Sequence, residues 1–555
     1  MNRFAIWQHR RRRRLAAATW LATALVFVQV AGTCVAGAQS LAHRSSLALS
    51  VAHVGARPDA VLFRARVEAV LKETHASRSF WGILVTDRDT GETLYELHSD
   101  HFFTPASNAK IFTTALALAV LGRDYKFHTT LESKATLKDG RLSGDLRFVG
   151  RGDPDISNRI FPYTGKVERE GPVEEVLAEM ADQAVAKGLR EVDGDIVGDD
   201  SYFPYDPYPA AWTVGDLFFR FGAPVSAIAF NDNTISVRIQ PGDRLGDPAA
   251  ITTEPSAALD TFGHQITTVG DGGTSDFAVV RQPGPNSVLL RGTIPISHAP
   301  VHLDLAMTAP AETVALALKQ LLEARGVRVL GQTRVQHSPP PENNAAGEPV
   351  LPPSPIIPPD PNSLMLAEHI SAPLLECIRV TNKVSHNLHA ELLLRTIAQE
   401  KTGVGSTDAG LLVERDFLRA AGIADGDVVL SDGSGLGRDD LVTPGAVVTL
   451  LRYALSQPWG RDFFSTLPVA GVDGTLENRM GNTAAAGRIE AKTGEVEHVR
   501  GLSGYATTVS GENLVFSIFY NNNPQTGADS AAAVDAVATA MVETLGAEPH
   551  ANKKK

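Results

Sequence analysis

The amino-acid sequence predicts an α/β protein with a long β-rich middle. Three observations carry this. A strand pair near the front leads directly into an apolar helix. Three consecutive strand-like runs and a closing helix end the chain. Between these two parts, from about 127 to 336, short β-like runs alternate with Gly, Asp and Pro turns. At 555 residues the chain exceeds one ordinary core, so two to four domains or a large insertion are expected.

Residues 59–71 read as a first helix. Phe80 to Asp87 and Thr93 to Ser99 read as two strands, with Asp89-Thr90-Gly91-Glu92 supplying the turn of a hairpin. The next run, from Thr104 to about Leu121, reads as one helix. Pro105 suits its start, Gly122 its stop, and Ile111, Phe112, Ala115, Leu116 and Ala119 recur near helical spacing. This helix is expected to be buried, yet it carries Ser107 and Lys110 three residues apart, on one face.

In the middle region HTTLES and DLRFVG read as strands, as do Thr234 to Ile239, Phe277 to Arg281 and Ser287 to Ile294. Val173 to Lys187 and Thr313 to Ala324 read as helices. Residues 338–361 are proline-rich and read as an extended connector. Beyond it, Leu364 to Val380, Ser385 to Ala398 and Ser406 to Ala421 read as helices. Asp432 to Gly437 is a glycine-rich loop without the spacing of a nucleotide site. Gly487 to Gly494, Arg500 to Thr508 and Asn513 to Asn521 read as strands, Asp529 to Leu545 as a helix, and 546–555 as a polar tail.

The formal net charge is −12, which argues against nucleic acid as a partner, because phosphate binding needs a basic surface. The first residues differ: Arg3 and Arg10 to Arg14 precede an apolar run from Leu15 to Val30 and a small-residue site at Ala36-Gly37-Ala38. Residues 1–38 therefore read as a secretory signal peptide and predict export to a periplasmic or other extracytoplasmic location. Removing its six arginines would take the formal charge to about −18. The alternative is an uncleaved anchor holding the chain loosely to a membrane. Of two cysteines, Cys34 lies inside the signal, leaving Cys377 as a buried thiol without an internal disulfide partner.

Ser107-x-x-Lys110 alone is a weak motif. It gains meaning from Ser385-His386-Asn387 at the head of an expected helix and from Lys492-Thr493-Gly494 at the end of an expected strand. Lys401-Thr402-Gly403 shows how cheap one triplet is. Taken separately, Ser107 and Asn387 read as helix caps and Lys492 as a strand charge. Three motifs in order and in context specify penicillin-interacting serine chemistry. Ser107 would attack a carbonyl carbon, and Lys110 would take its proton if Lys492 and burial keep that lysine neutral. Ser385 would pass a proton to the leaving amine, and Asn387 would hold the substrate amide. Lys492 and Thr493 would bind a terminal carboxylate, and Gly494 would let substrate backbone approach the strand. The N–H groups of Ser107 and Val496 would form the oxyanion hole. No metal-ligand spacing occurs, so neither metal nor cofactor is expected.

With these motifs the chain resembles the class C low-molecular-mass penicillin-binding proteins, D-alanyl-D-alanine carboxypeptidases/endopeptidases. The resemblance extends to Phe148 to Pro154, Trp212, Phe221 to Ala227, Phe230 to Asn233, Asn382 to Glu391, Asp432 to Arg438, Gly471 to Leu476 and Leu502 to Tyr505. It implies a β-lactamase/transpeptidase-like α/β domain, an antiparallel sheet flanked by helices, formed discontinuously by 56–126 and 362–546. Residues 127–337 would be inserted β-rich domains, 338–361 a connector and 547–555 a tail. Two departures stand out: His386 replaces an Asp, and Glu495 follows Lys-Thr-Gly where the family commonly has Thr or Ser. Glu495 would repel a substrate carboxylate if it faced inward; strand alternation is expected to turn it away from the face of Thr493.

The resulting expectation is a serine-type D-Ala-D-Ala carboxypeptidase, endopeptidase or both, acting on peptidoglycan stem peptides and acylated by β-lactam antibiotics. A β-lactamase and a non-catalytic peptidoglycan-binding protein are the alternatives. Oligomeric state has no signal in the sequence.

Overall fold

The computed structural model describes residues 57–546, apart from 74, 166–168, 258, 282–285, 346, 353–362 and 526. The expected signal peptide, the tail from 547 and the last part of the proline-rich connector, from 353, lie outside the described residues.

The first hairpin and the last three strands form one antiparallel sheet. Its order is Thr93–Leu97, Phe80–Asp87, Asn513–Asn521, Val499–Thr507, Ile489–Val496. Trp81 is the register partner of Tyr520, and their rings stack at 4.1 Å. One face is covered by the helices Pro58–Leu71 and Gly527–Thr544, with Phe63, Val67, Ile83, Phe516, Ile518 and Met541 in the shared core. The other face meets Pro444–Ser456 through Val447, Leu451, Val515 and Phe519. The helix Lys110–Val120 lies in this second core, packed among Leu374–Lys383 and Asn387–Thr402. Its apolar side chains point in several directions, which is the pattern of a helix buried all round.

The expected strands at 128–133, 513–521 and 80–87 have those bounds in the structure. The expected helix at 364–380 is corrected. Leu364–Ile370 is a strand, antiparallel to His128–Ser133, and the helix begins at Leu374. Pro373 sets that boundary, since it disfavours helical backbone in the residue before it. This strand completes a second five-stranded sheet, ordered Thr333–Ser338, Ile196–Pro204, Leu146–Val149, His128–Ser133, Leu364–Ile370. Two three-stranded sheets built from segments between 234 and 306 stand beside it.

Cys377 is a buried free thiol 3.7 Å from a carboxylate oxygen of Asp155; burial pushes its pKa well up, which leaves it inert. No described helix is long and apolar enough to cross a membrane.

Candidate active site

Ser107 sits in a short 3₁₀ turn, Ala106–Ala109, that runs into the helix beginning at Lys110. The expected single helix is therefore two pieces. Ala106 holds a left-handed backbone, φ 48°, a conformation costing about 1–3 kcal/mol that surrounding packing must offset. The packing is visible at Gly435, where φ is +78° and an added Cβ would lie 1.9 Å from the Ala106 carbonyl oxygen. The glycine-rich loop thus presses on the backbone just before the serine.

Lys110 is fully buried. Its Nζ donates to Ser107 Oγ at 2.8 Å, to Asn387 Oδ1 at 2.7 Å and to the Ser434 carbonyl at 2.6 Å. Burial lowers its pKa to about 7, against the opposing pull of Asp432, Glu391 and Asp440. When neutral it keeps two N–H groups, enough for Asn387 and Ser434, and its lone pair faces the serine hydroxyl. The expected help from Lys492 falls the other way: Lys492 is the lysine depressed by burial and then by its twin.

Ser385 precedes the helix Asn387–Thr402 with φ 59°, and its Oγ accepts from Lys492 Nζ at 2.9 Å. Lys492 is fully buried and also donates to the Thr493 carbonyl at 3.0 Å. It stands behind Ser385 rather than open to a substrate carboxylate. Asn387 is clamped at both ends, its Oδ1 by Lys110 and its Nδ2 on the Phe221 carbonyl at 2.8 Å. It thereby holds the lysine in place, and it lines the groove as well.

His386 caps its helix: Nδ1 accepts from the N–H of His389 at 3.4 Å, so Nε2 carries the proton and donates to Asp232 at 2.9 Å. His389 Nε2 reaches the other Asp232 oxygen at 3.1 Å. Asp232 also accepts from Arg159 at 2.8 Å and from Arg169. Desolvation pushes its acid up, but Arg169, His386 and Arg159 outweigh this and hold it well below the carboxylate range. Burial lowers both histidines. The ligand atoms of Asp232, His386 and His389 lie within 4.8 Å of one another, but two guanidiniums already neutralise the carboxylate. That chemistry fits an ion-pair hub better than a cation site.

The strand Ile489–Val496 is the sheet edge beside Ser107. Ala491 N–H bonds the Pro468 carbonyl on the side away from the neighbouring strand. Alternation then turns the amides of Thr493 and Glu495 to the open edge and that of Val496 toward Val499. The open-edge amide after Gly494 is therefore that of Glu495, whereas the amide of Val496, the expected oxyanion donor, points into the sheet. The same alternation keeps the Glu495 side chain on the side of Thr493, two residues away, contrary to expectation. Its carboxylate is instead held by Arg500, directly across the strand pair, at 2.8 Å. Thr493 Oγ1 donates to Thr475 Oγ1 at 2.8 Å.

Ser107, Ser385, Asn387, Glu495, Val496 and Arg500 line a groove of about 420 Å³. The structure thus brings the three motifs together. Absent from the sequence reading were the roles of Asp232, Arg159, Arg169 and Trp212. Trp212 donates Nε1–H to Asp432 at 2.7 Å, and Asp432 in turn gathers the amides of Ser434, Gly435 and Gly437. Asp232 and Trp212 lie in segments that carry the family resemblance; Arg159 and Arg169 have no sequence signal.

The sequence profile of the D-Ala-D-Ala carboxypeptidase 3 (S13) family matches residues 63–351 and 358–541. The D-alanyl-D-alanine carboxypeptidase of Actinomadura sp. (strain R39) is 33% identical over 494 residues, 87% of this chain and 85% of that protein. The crystal structure of penicillin binding protein 4 from Haemophilus influenzae superposes with a TM-score of 0.70 at 24% identity, covering 85% of this chain and 97% of that one. The same Haemophilus protein complexed with a novel β-lactam gives 0.66 at 23% identity. These likenesses establish the fold, transpeptidase-like with extra domains. The profile match and the Actinomadura relative together show that the chain belongs to the D-Ala-D-Ala carboxypeptidase 3 (S13) family, as a serine-type hydrolase.

Proposed function

We propose that this chain, exported from the cytoplasm, hydrolyses the amide that follows a D-alanine in peptidoglycan stem peptides, through an acyl-enzyme on Ser107. Lys110 in its neutral form takes the hydroxyl proton as Ser107 Oγ bonds to the carbonyl carbon. The N–H groups of Ser107 and Glu495 receive the developing oxyanion. The amine departs with a proton delivered through Ser385, which Lys492 supports. Water then attacks the ester and frees the shortened peptide. Terminal D-Ala and a cross-linked neighbouring stem differ only in the leaving amine, so carboxypeptidase and endopeptidase activity share one acyl half. β-Lactams would acylate the same serine.

The observation that carries this reading is the Lys110 amine, buried, at 2.8 Å from Ser107, with its other hydrogen bonds fixed. The test is incubation with labelled penicillin and mass spectrometry, with Ser107→Ala as control. A stable adduct on Ser107, absent from the variant, is expected, along with release of D-Ala from stem peptides. Intact drug without adduct would instead identify a non-catalytic binding protein, and rapid destruction of the drug a β-lactamase.

A further inference from the structure

Glu495 and Arg500 form a pair that the reaction outlined above leaves unused, and both line the reaction groove. Arg500 is nearly buried, its side chain 7% exposed, whereas that of Glu495 is 67% exposed. The guanidinium is anchored from one side: Nη1 donates to the carbonyls of Val496 at 3.1 Å and Val499 at 2.8 Å, within the hairpin itself. Its other edge, Nε and Nη2, is a two-pronged donor of the shape that grips a carboxylate. Nη2 holds Glu495 Oε1, while Nε is buried and has no partner among the described residues. A buried, unmet guanidinium N–H is costly, and here it belongs to the wall of a groove. The fork is half filled by a carboxylate on an exposed side chain.

The cation expected to meet the substrate's carboxyl end was Lys492. That amine is fully buried and committed to Ser385 and the Thr493 carbonyl. Arg438, the groove's second guanidinium, leans toward Asp216 at 4.0 Å. Arg500 is thus a cation of the groove, on the same face of the strand pair as Thr493, with a donor to spare.

We propose that Arg500 is a carboxylate-binding residue of the groove and that Glu495 occupies it as a built-in competitor. A ligand with a free terminal carboxylate takes both Nε–H and Nη2–H, and the Glu495 side chain swings to solvent. Ligands without that carboxylate leave the pair intact. The site therefore grades its ligands by the charge at the carboxyl end, and Glu495 sets how strongly.

This rests on the peptidase reading for the choice of ligand, but its test needs no turnover. Calorimetry would measure binding of diacetyl-L-lysyl-D-alanyl-D-alanine and of its C-terminal amide to the Ser107→Ala protein. The same measurements would follow with Glu495→Gln and Arg500→Gln added in turn. Glu495→Gln is expected to tighten the acid by roughly three- to tenfold and leave the amide unchanged. Arg500→Gln is expected to weaken the acid by at least roughly tenfold relative to the amide. Equal shifts for acid and amide, or no shift with Glu495→Gln, would overturn the proposal. The amide reports folding in each variant; if Arg500→Gln loses both ligands, Glu495→Gln decides alone. Failure of the acyl-enzyme reading shows separately, as absence of a penicillin adduct on the unsubstituted serine.

Discussion

Gly494 faces Gly501 across the edge strand pair, and a Cβ built on Gly494 would lie 2.4 Å from the carbonyl oxygen of Pro105. The sheet edge can stand against the Ser107 turn only because this residue has no side chain. Gly494 was expected to make room for substrate; the closer demand is from the protein's own backbone.

Gly494→Ala is therefore expected to push the serine turn off the sheet. Overpacking of this kind costs about 1–3 kcal/mol. The penicillin acylation rate should fall by at least ~10-fold, since small misplacements of a nucleophile are expensive. Stopped-flow acylation beside thermal denaturation separates the two losses; an unchanged acylation rate would sink the argument.

The pH profile has a definite sign. Lys110, with its pKa lowered to about 7, acts as a base only when neutral. Acylation should fall about tenfold per pH unit below that value and level off above it. Asp432, Glu391 and Asp440 pull the proton onto Lys110, and burial outweighs them. Stability follows the same lysine. Its folded pKa lies below the unfolded value, so the cost of burying a charge is complete below about 7 and disappears as pH rises toward 10.5.

Asn387→Asp places a carboxylate on Lys110 Nζ without changing shape. An adjacent anion favours the ammonium, so the acid limb should move up by about 1–3 pH units. Asn387→Ala should lower the rate without that displacement. A common profile for the two variants would show that the amide does not control the lysine.

Asp232→Ala would leave Arg159, Arg169, His386 and His389 around an empty centre. Removing one partner of a buried ion pair costs about 3–5 kcal/mol. A drop in Tm and in acylation together is expected, because Ser385 and Asn387 flank the histidine that Asp232 holds. Wild-type stability in this variant would mean that the hub contributes nothing.

Trp212→Phe deletes the N–H donated to Asp432. A loss of about 1–3 kcal/mol is expected for removing one hydrogen bond to a buried carboxylate oxygen that keeps the Gly437 amide. Acylation should slow as well, since the loop that Asp432 organises supplies the Ser434 carbonyl to Lys110.

Side-chain chemistry at fixed spacing was the readable part of the site. Ser107, Lys110, Ser385, Asn387 and Lys492 could be named because a hydroxyl, amide or amine announces itself in one letter. The Ser434 carbonyl, the Phe221 carbonyl and the Glu495 amide could not, since any residue supplies them. Strand parity decides between the amides of Val496 and Glu495, and only a hydrogen bond such as Ala491 to Pro468 fixes it. The strands of the sheet bearing Lys492 read well from turns and alternation. Leu364–Ile370 did not, because its apolar residues also suit a helix and its partner strand lies more than 230 positions earlier.

Phe221, Asp232 and Trp212 reach the site from the middle of the sequence, and each grips a residue that arrives at least 150 positions later. A nascent chain that has emerged past Lys110 therefore holds a serine and a lysine but no peptidase. On the proposed mechanism, nucleophilic power is withheld until the last strands have joined the first hairpin and the middle has closed over Asn387. The fold itself imposes a delay of the kind a zymogen has, and a covalent penicillin label would count only molecules that have finished folding.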